Sequence, residues 1–332
     1  MDKWIIVLPP EGAARLAGEQ LIPAFNNVVG SENVKTFDSL TYRSAFTSLL
    51  KETDHNMIAD LLNQSLFVQC IDFGATHVLV LALSPVTLFT LNLLKKQSIV
   101  TVHWFYEDYR EAVYWRDVVS GYNHFIGIQQ TEVKNVCQSN GVMFHFLPPA
   151  ADLMPAMPIL PAERKIADVA FIGIPSQYRI NILEQLAEGG ITLIIGGSQW
   201  DTYQGPLDKF IVKRGWISVK ESLELQQQAR AGLNLSFHDP AFSREDIHIG
   251  PRIFTILGSG LVLFTEKAPN SDAFLNDFDY FSFESVTDLV DKIKGCMHDY
   301  LNYRIICEKN RNIVLKEHNY QARTQTILSI VR

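Results

Sequence analysis

Two arginines in the second half of the chain follow glycines at junctions between a predicted strand and a predicted helix. In DVAFIGIPSQYR, a buried strand ends at Gly173 and Arg179 enters the next helix. In HIGPRIFTILGSG, Gly250 and Arg252 stand at the start of a helix. Free N–H groups at a helix start, close backbone approach at glycine and guanidinium forks all favour binding of phosphate oxygens. The pattern predicts a diphosphate site, with an ordinary turn at Arg179 and an interdomain salt bridge at Arg252 as the alternatives.

In the first half, four ionisable side chains occur in or shortly after predicted buried strands. They are Glu11, His103, Glu107 and Asp108. A general base must lie within hydrogen-bond reach of the group that it deprotonates, and the carboxyl end of a parallel strand is where a ligand-facing residue belongs. We prefer Asp108 as the base and keep the other three as rivals. For each, a loop charge or a packed side chain is the alternative.

Several motifs of other enzyme classes are missing from the sequence. It has no GxGxxG after the first strand, no GxxxxGK[ST], no HExxH and no GxSxG, which disfavours dehydrogenases, P-loop proteins, zinc proteases and α/β-hydrolases. Asp277 and Asp279 form a D-x-D triplet, but three residues match by chance too easily to predict a metal site. The four cysteines are far apart and form no CxxC pair, so buried thiols are expected rather than disulfides or zinc ligands.

Composition and charge exclude further classes of protein. The 332 residues include 29 basic and 36 acidic side chains, a net charge of −7, so a surface that neutralises nucleic-acid phosphates is not expected. Hydrophobic residues at 47% and charged residues at 20% are typical of a globular protein. Polar residues interrupt the most apolar stretch, residues 77–94, and the first apolar run is too short for a signal peptide. We therefore expect no transmembrane segment and a cytoplasmic location.

Short apolar runs alternate with amphipathic stretches along the whole chain. This alternation is typical of parallel sheets covered by helices on both faces. Five prolines between residues 148 and 161 interrupt it, which indicates a linker. We predict an α/β fold of two doubly wound Rossmann-like domains, with a ligand at the strand ends in the cleft between them. The predicted segments are a first domain at 1–150, a linker at 151–162, a second domain at 163–300 and a C-terminal helical segment at 301–332.

An ordered series of segments resembles the glycosyltransferases related to the spore-maturation protein CgeB, which belong to the two-domain GT-B class. The segments, in order, are DVAFIG with its following arginine, IIGG with its following tryptophan, RGW with its following glutamate, GLNLSFHD, GPRIF with ILGSG, and KEHNYQAR. A looser match in the first half is SPVTLFTLNLLKKQSIVTVHWFYEDY. The resemblance covers most of the chain from about residue 76, and the order and spacing of the segments carry it.

The resemblance implies that the second domain binds a nucleotide-sugar donor. Gly173 and Arg179 would lie near the phosphates, Gly196 and Trp200 near the sugar or nucleotide, and Trp216 near the base. The full set implied at the donor site is Gly173, Arg179, Gly196, Trp200, Trp216, Glu221, His238, Gly250, Arg252 and Thr255. Core packing is the alternative for Trp216, and a solvent-facing loop is the alternative for His238.

In the first domain, the resemblance implies a sugar acceptor, whose hydroxyl needs a base if the transfer inverts configuration. An aromatic-rich stretch beside the candidate bases could stack on sugar faces, although core and interdomain packing is its commoner role. Its members are Trp104, Phe105, Tyr106, Tyr109, Tyr114 and Trp115.

One position departs from the family pattern. Relatives usually carry a glutamate directly after R-x-F, where its carboxylate can accept hydrogen bonds from ribose hydroxyls. Here that position is Thr255, whose hydroxyl has a shorter reach and no charge. We therefore expect the donor to be held differently, a different nucleotide, or a weakened site.

The sequence as a whole predicts a metal-independent glycosyltransferase without a resident cofactor. Its donor would be a UDP-, GDP- or TDP-linked sugar, and its acceptor a hydroxyl or amine on a saccharide, protein or small molecule. A nucleotide-sugar epimerase or hydrolase on the same fold is one alternative. A catalytically degenerate GT-B scaffold that binds a partner is the other, and Thr255 is the reason for keeping it.

Overall fold

The structure, a computed structural model, describes residues 2–50, 54–151, 153, 157–239, 249–267 and 274–331. It divides into two compact units, one of Met1–Ala150 with Tyr320–Arg332 and one of Ala151–Asn319. The predicted C-terminal helical segment, residues 301–332, is thus shared between the units. Within the predicted linker, residues 152 and 154–156 lie outside the described residues. The predicted class, α/β with two Rossmann-like domains, is confirmed by a six-stranded parallel sheet in each unit.

The first unit is built on a parallel sheet in the order β2-β1-β3-β4-β5-β6. Its strands are β1 (Trp4–Leu8), β2 (Val34–Asp38), β3 (His77–Leu81), β4 (Val100–Phe105), β5 (His124–Gly127) and β6 (Met143–Phe146). Its helices are α1 (Ala13–Val29), α2 (Ser39–Leu50), α3 (His55–Phe73), α4 (Leu88–Lys96), α5 (Trp115–Val118), α6 (Thr131–Ser139) and, from the end of the chain, α12 (Tyr320–Ile330). Every residue of β1 and β3 is buried, as expected for strands covered on both faces.

The second unit has the strand order β12-β11-β10-β7-β8-β9, again all parallel. Its strands are β7 (Ala167–Ile172), β8 (Leu193–Gly197), β9 (Ile211–Arg214), β10 (Ala229–Asn234), β11 (Val262–Glu266) and β12 (Phe281–Phe283). Its helices are α7 (Gln177–Glu188), α8 (Val219–Gln227), α9 (Pro251–Gly258), α10 (Val286–His298) and α11 (Tyr300–Glu317). This is the strand order of a dinucleotide-binding Rossmann sheet. In such a sheet, the order in which successive strands are added reverses between the first and fourth strands, here β7 and β10.

Local sequence explains where the helices near the strand ends begin. Ser176 caps α7 by accepting a hydrogen bond from the Arg179 N–H. Ser218 and Glu221 form a reciprocal capping box at α8. Capping satisfies backbone N–H groups that have no partner inside the helix. The starts of α7 and α8 are therefore encoded by residues within one turn of them.

Three further findings concern the cysteines, membrane-spanning helices and the aromatic-rich stretch. The four cysteines are free and buried, as predicted. No helix within the described parts of the chain is both long and apolar enough to span a membrane. The aromatic-rich stretch is mostly core rather than a platform, because four of its members are 5% exposed or less. These four are Trp104, Phe105, Tyr106 and Trp115.

A histidine pair joins β5 and β6. His124 Nδ1 lies 3.1 Å from His145 Nε2, and the two rings are stacked. Burial lowers the pKa of both imidazoles, and the charges of His145 and His77 lower that of His124 further. One nitrogen of the close pair must donate and the other accept, so the pair is suited to the neutral state.

We expect acid to destabilise the first unit through this pair. The folded pKa values are lowered, so the unfolded chain takes up protons first, and stability is lost as the pH falls through about 6.5. In His145→Gln, the free energy of unfolding should fall less steeply than in the wild type as the pH decreases from about 7.5 to about 5.5. Urea denaturation at a series of pH values measures this, with exposed His298→Gln as the control. An unchanged slope in His145→Gln would contradict the assignment.

Candidate functional site

The carboxyl ends of β7 and β10 meet at the point where the second sheet reverses its strand order. Open α/β sheets bind ligands at such a switch point, because the loops there separate and leave a crevice. Ile172 ends β7 and is followed by Gly173, while β10 leads into Leu235 and Ser236. The arginines singled out in the sequence both lie at this edge.

Arg252 extends from the first turn of α9 across both strand ends. Its Nε donates to the Ile172 carbonyl at 3.0 Å, and its Nη1 donates to the Leu235 carbonyl at 3.2 Å. The guanidinium also lies 5.3 Å from the centre of the Phe171 ring. Burial lowers the pKa of Arg252 to about 10, so it stays positively charged at neutral pH.

Arg179 is held at the same edge from the other side, by the first turn of α7. Three of its N–H groups donate to backbone carbonyls, at 3.0 Å to Ser236, 2.8 Å to Leu235 and 2.9 Å to Ile174. Burial, and secondarily the charge of Arg252, lowers the pKa of Arg179 to about 9. Two like charges are thus held close together, an arrangement that favours binding of an anion.

Glu266, at the end of β11, is the acidic member of the cluster. Its Oε2 accepts hydrogen bonds from the Ser236 N–H at 2.8 Å and the Ser236 hydroxyl at 2.6 Å. Its Oε1 has no hydrogen-bond partner among the described residues. Burial raises the pKa of Glu266, whereas Ser236, Tyr178 and Arg179 act in the opposite direction. Whether or not the Glu266 carboxyl group is ionised, the cluster of Arg179, Arg252 and Glu266 carries a net positive charge.

Sequence reasoning missed Glu266. The signal was a charged residue closing the buried run LVLFT, at the same strand end where the arginines were sought. Nothing in the run itself indicates that this strand neighbours β10, since that pairing is set by the order of the strands in the sheet.

Glycines let the backbone approach the arginine cluster closely. A Cβ added at Gly173 would lie 2.7 Å from Arg252 Nη2. Gly197 has a φ of 148°, and a Cβ there would lie 2.3 Å from the Gly173 carbonyl oxygen, which also accepts a 2.8 Å hydrogen bond from Trp200 Nε1. Gly173 and Trp200 therefore shape the loop on which the guanidinium rests.

The other residues expected at the donor site have identifiable local roles. A Cβ at Gly196 would meet the side chain of Ile217 at 2.9 Å, and Gly250 is the N-cap of α9. Glu221 is committed to its capping box and to a surface ion pair with Lys213. These contacts are structural, and each can coexist with a ligand at the same edge of the sheet.

Three further residues differ in how much they present to a ligand. Trp216 is 57% exposed, so it is not a core residue. The His238 ring packs edge-on against Phe237 at 5.0 Å. Thr255 is buried, and its hydroxyl donates to the Pro251 carbonyl one turn earlier at 2.9 Å. The Thr255 hydroxyl therefore bonds within its own helix.

In the first unit, the structure separates the candidate bases at the end of β4. Asp108 is buried and accepts from its neighbour Arg110, with Arg110 Nε at 2.8 Å from Oδ1 and a second contact at Oδ2. Glu107 is half-buried and forms no ion pair within the part of the chain that the structure describes. Burial, followed by the charge of Asp108, raises its pKa to about 7. A carboxylate of that pKa is suited to proton transfer at neutral pH. Glu11 is exposed in the loop after β1.

His103 is enclosed in the core of the first unit. Its Nδ1 lies 2.8 Å from the Val80 carbonyl, which can only accept, so Nδ1 carries the proton. Its Nε2, 3.3 Å from the Tyr114 hydroxyl, accepts in turn, and that hydroxyl oxygen accepts the Leu83 N–H at 2.7 Å. Burial lowers the pKa of His103 to about 4. Both ring nitrogens are therefore occupied in a structural relay.

The D-x-D triplet provides no clustered metal ligands. Asp279 pairs with Lys309 at 2.7 Å, and its backbone is held by the amide of Asn310. Nowhere in the described ranges do three or more histidine, cysteine or acidic side chains converge in a way that could hold a metal ion.

We expect Gly197→Ala to destabilise the second unit by about 2 kcal/mol or more, since the new methyl group would clash with backbone at a positive φ. Gly295→Ala in α10 is the matched control, because a Cβ there meets nothing within 4 Å. Chemical denaturation of both variants measures the difference. Equal stability of the two variants would show that the loop at Gly173 and Gly197 can relax freely.

Comparison with known proteins identifies a matching family model and similar folds. Residues 179–329 match a family model described as glycosyl transferase-like, whereas a search of curated proteins gives no match. Sucrose-phosphate synthase from Thermosynechococcus elongatus is similar in structure, with a TM-score of 0.67, 12% identity and coverage of 99% of this chain and 98% of that one. Anabaena HepE, solved with UDP and glucose, has a TM-score of 0.63 and 11% identity, covering 100% and 99%.

A third similar structure is that of the T4 phage β-glucosyltransferase, solved with UDP and Mn²⁺. Its TM-score is 0.56 and its identity 14%, covering 100% of this chain and 99% of that one. Similarity over the full length of all three proteins shows that both units, in this order, form a shared fold. The chain thus carries a glycosyl transferase-like domain over residues 179–329, and its fold is GT-B.

Proposed function

We propose that this enzyme transfers a sugar from a nucleoside-diphosphate sugar to a hydroxyl or amine acceptor. The observation that carries the proposal is the position of the buried Arg179 and the half-buried Arg252 side by side at the switch point of the second sheet. Their positive charge complements a diphosphate. UDP is our preferred nucleotide over GDP and TDP, because two of the similar structures were solved with UDP.

In the proposed mechanism, the second unit stabilises the leaving diphosphate. Negative charge grows on its oxygens as the bond to the sugar breaks, and Arg179 and Arg252 are already oriented by backbone carbonyls. Charges that need no reorganisation during the reaction stabilise a transition state effectively. We propose that these two guanidinium groups make the transfer independent of a divalent metal.

The first unit would supply the acceptor and its base. We now prefer Glu107 over Asp108, because Arg110 occupies the Asp108 carboxylate while Glu107 is held at a pKa of about 7. In a transfer that inverts configuration, the Glu107 carboxylate takes the proton of the acceptor hydroxyl as its oxygen attacks the sugar. His103 is unsuited to that role because both of its ring nitrogens are bonded within the core.

We also propose membership of the CgeB-related group, in a branch that holds ribose without the usual glutamate. The ordered sequence segments support the grouping, and the back-bonded Thr255 hydroxyl supports the departure from it. The ribose hydroxyls would then find their acceptors elsewhere at this edge of the sheet.

The donor proposal predicts that Gly173→Ala weakens UDP binding. The new methyl group would displace the Arg252 guanidinium, and loss of one charged hydrogen-bonding partner typically costs about tenfold or more in affinity. Isothermal titration calorimetry with UDP measures the effect, and Gly295→Ala is the control. Binding should be the same in EDTA and in Mn²⁺. Unchanged affinity in Gly173→Ala would contradict the role of Arg252, and binding only with Mn²⁺ would contradict metal independence.

The base proposal predicts that Glu107→Gln lowers kcat by about 10² to 10⁴. The wild-type rate should rise with pH to a plateau above about 7, as the Glu107 carboxyl ionises, and this rise should be lost in the variant. Steady-state kinetics across pH test both points, with the same change at exposed Glu111 as the control.

The stability of Glu107→Gln distinguishes chemistry from misfolding. The folded pKa is raised, so the unfolded chain loses its proton first and the fold is destabilised as the pH rises from 4.5 towards 7. At pH 8 the variant should therefore be at least as stable as the wild type. A stable variant with unchanged kcat would remove Glu107 from the mechanism, and release of nucleotide without any acceptor would indicate a hydrolase.

A further inference from the structure

Leu83 occupies an unfavourable backbone conformation at the switch point of the first sheet. It follows β3 with a φ of 63°, in the left-handed region that leucine rarely adopts. The two other non-glycine residues with positive φ among those described, Ser98 and Gln199, are polar. The sheet order reverses between β1 and β3, so Leu83 stands at an edge where α/β proteins bind ligands.

The side chain of Leu83 contributes little to the core. It is 42% exposed, whereas its neighbours Ala82 and Ser84 are buried. Glycine would adopt this φ without strain. Strain that persists at one residue is held in place by the surrounding structure and is concentrated at functional sites. An apolar side chain kept here, at a conformational cost and without burial, therefore indicates a contact with a ligand.

The relay through His103 holds Leu83 in this conformation. The Leu83 N–H donates to the Tyr114 hydroxyl at 2.7 Å, and that hydroxyl donates to His103 Nε2. His103 Nδ1 then donates to the Val80 carbonyl, three residues before Leu83 on the same strand segment. The chain of bonds closes on β3 itself, so the position of Leu83 is determined by buried groups.

A second exposed apolar side chain adjoins the same tyrosine in the sequence, and the proposed base lies at the same edge of the sheet as Leu83. Val113 precedes Tyr114 in the sequence and is 58% exposed. β3 pairs with β4 in parallel, with Leu81 opposite Trp104, so Leu83 and Glu107 each follow their strand at the same edge of the sheet. Burial raises the pKa of Tyr114, and the charge of Glu107 adds a smaller contribution in the same direction.

We propose that Leu83 and Val113 form an apolar subsite for the acceptor, which carries an aliphatic or aromatic group beside the hydroxyl that Glu107 deprotonates. The inference rests on the proposed function and names the class of acceptor. Contact with such a group removes the two exposed side chains from water. It would also exclude water from the Glu107 carboxylate at the same sheet edge. An acceptor with hydroxyl groups alone would leave the Leu83 and Val113 side chains exposed to water.

The test compares phenyl β-D-glucoside with methyl β-D-glucoside, which share their sugar hydroxyls and differ in the apolar group. Calorimetric titration of the full chain should show the phenyl compound binding about tenfold more tightly, the scale of one well-placed apolar contact. In Leu83→Gly that preference should fall to about threefold or less. This variant relieves the backbone strain, so its thermal midpoint should not fall. Val113→Ser should reduce the preference in the same way.

Leu301→Ala is the control, because it removes an apolar side chain that is 71% exposed on α11 in the second unit. It should leave the preference unchanged. Equal binding of the two glucosides by the wild type, or a preference that survives in both Leu83→Gly and Val113→Ser, overturns the subsite. No phenyl preference while UDP still binds overturns the subsite alone. A phenyl preference without UDP binding upholds the subsite and overturns the proposed donor.

Discussion

The second unit depends on keeping two guanidinium groups charged and adjacent inside a sheet edge. Burial and mutual repulsion both act against this, as the lowered pKa values of Arg179 and Arg252 show. Backbone carbonyls at the ends of β7 and β10 offset that cost by accepting their N–H groups. The carbonyls leave the charge itself uncancelled, and among the described residues the charge of Glu266 opposes it. The edge is thus held ready for an anion.

Other features of the unit follow from that constraint. Gly173 must lack a side chain because a guanidinium lies over it, and Gly197 must lack one because the Gly173 carbonyl lies against it. Trp200, wholly buried, holds the same carbonyl from the far side. Residues that resemble a binding motif in the sequence therefore act partly as the support on which Arg252 rests.

The first unit shows the opposite use of burial. There a fully satisfied relay through His103 and Tyr114 holds the strand end without retaining charge. Asp108 is likewise neutralised by Arg110. Glu107 differs from both because burial raises its pKa and no cation pairs with it within the described ranges, which is the condition for a group that exchanges protons near neutral pH.

The sequence alone determined the two Rossmann-like domains, because buried parallel strands and their helices leave a periodic apolar pattern. It also indicated Arg179 and Arg252, because each stands in the first turn of a predicted helix, near a glycine. It could not show that Glu107 is a better candidate base than Asp108, because the ion pair between Arg110 and Asp108 depends on how the loop folds. Nor could it reveal Glu266, which joins the arginines only because β11 pairs with β10, across strands that are distant in the chain.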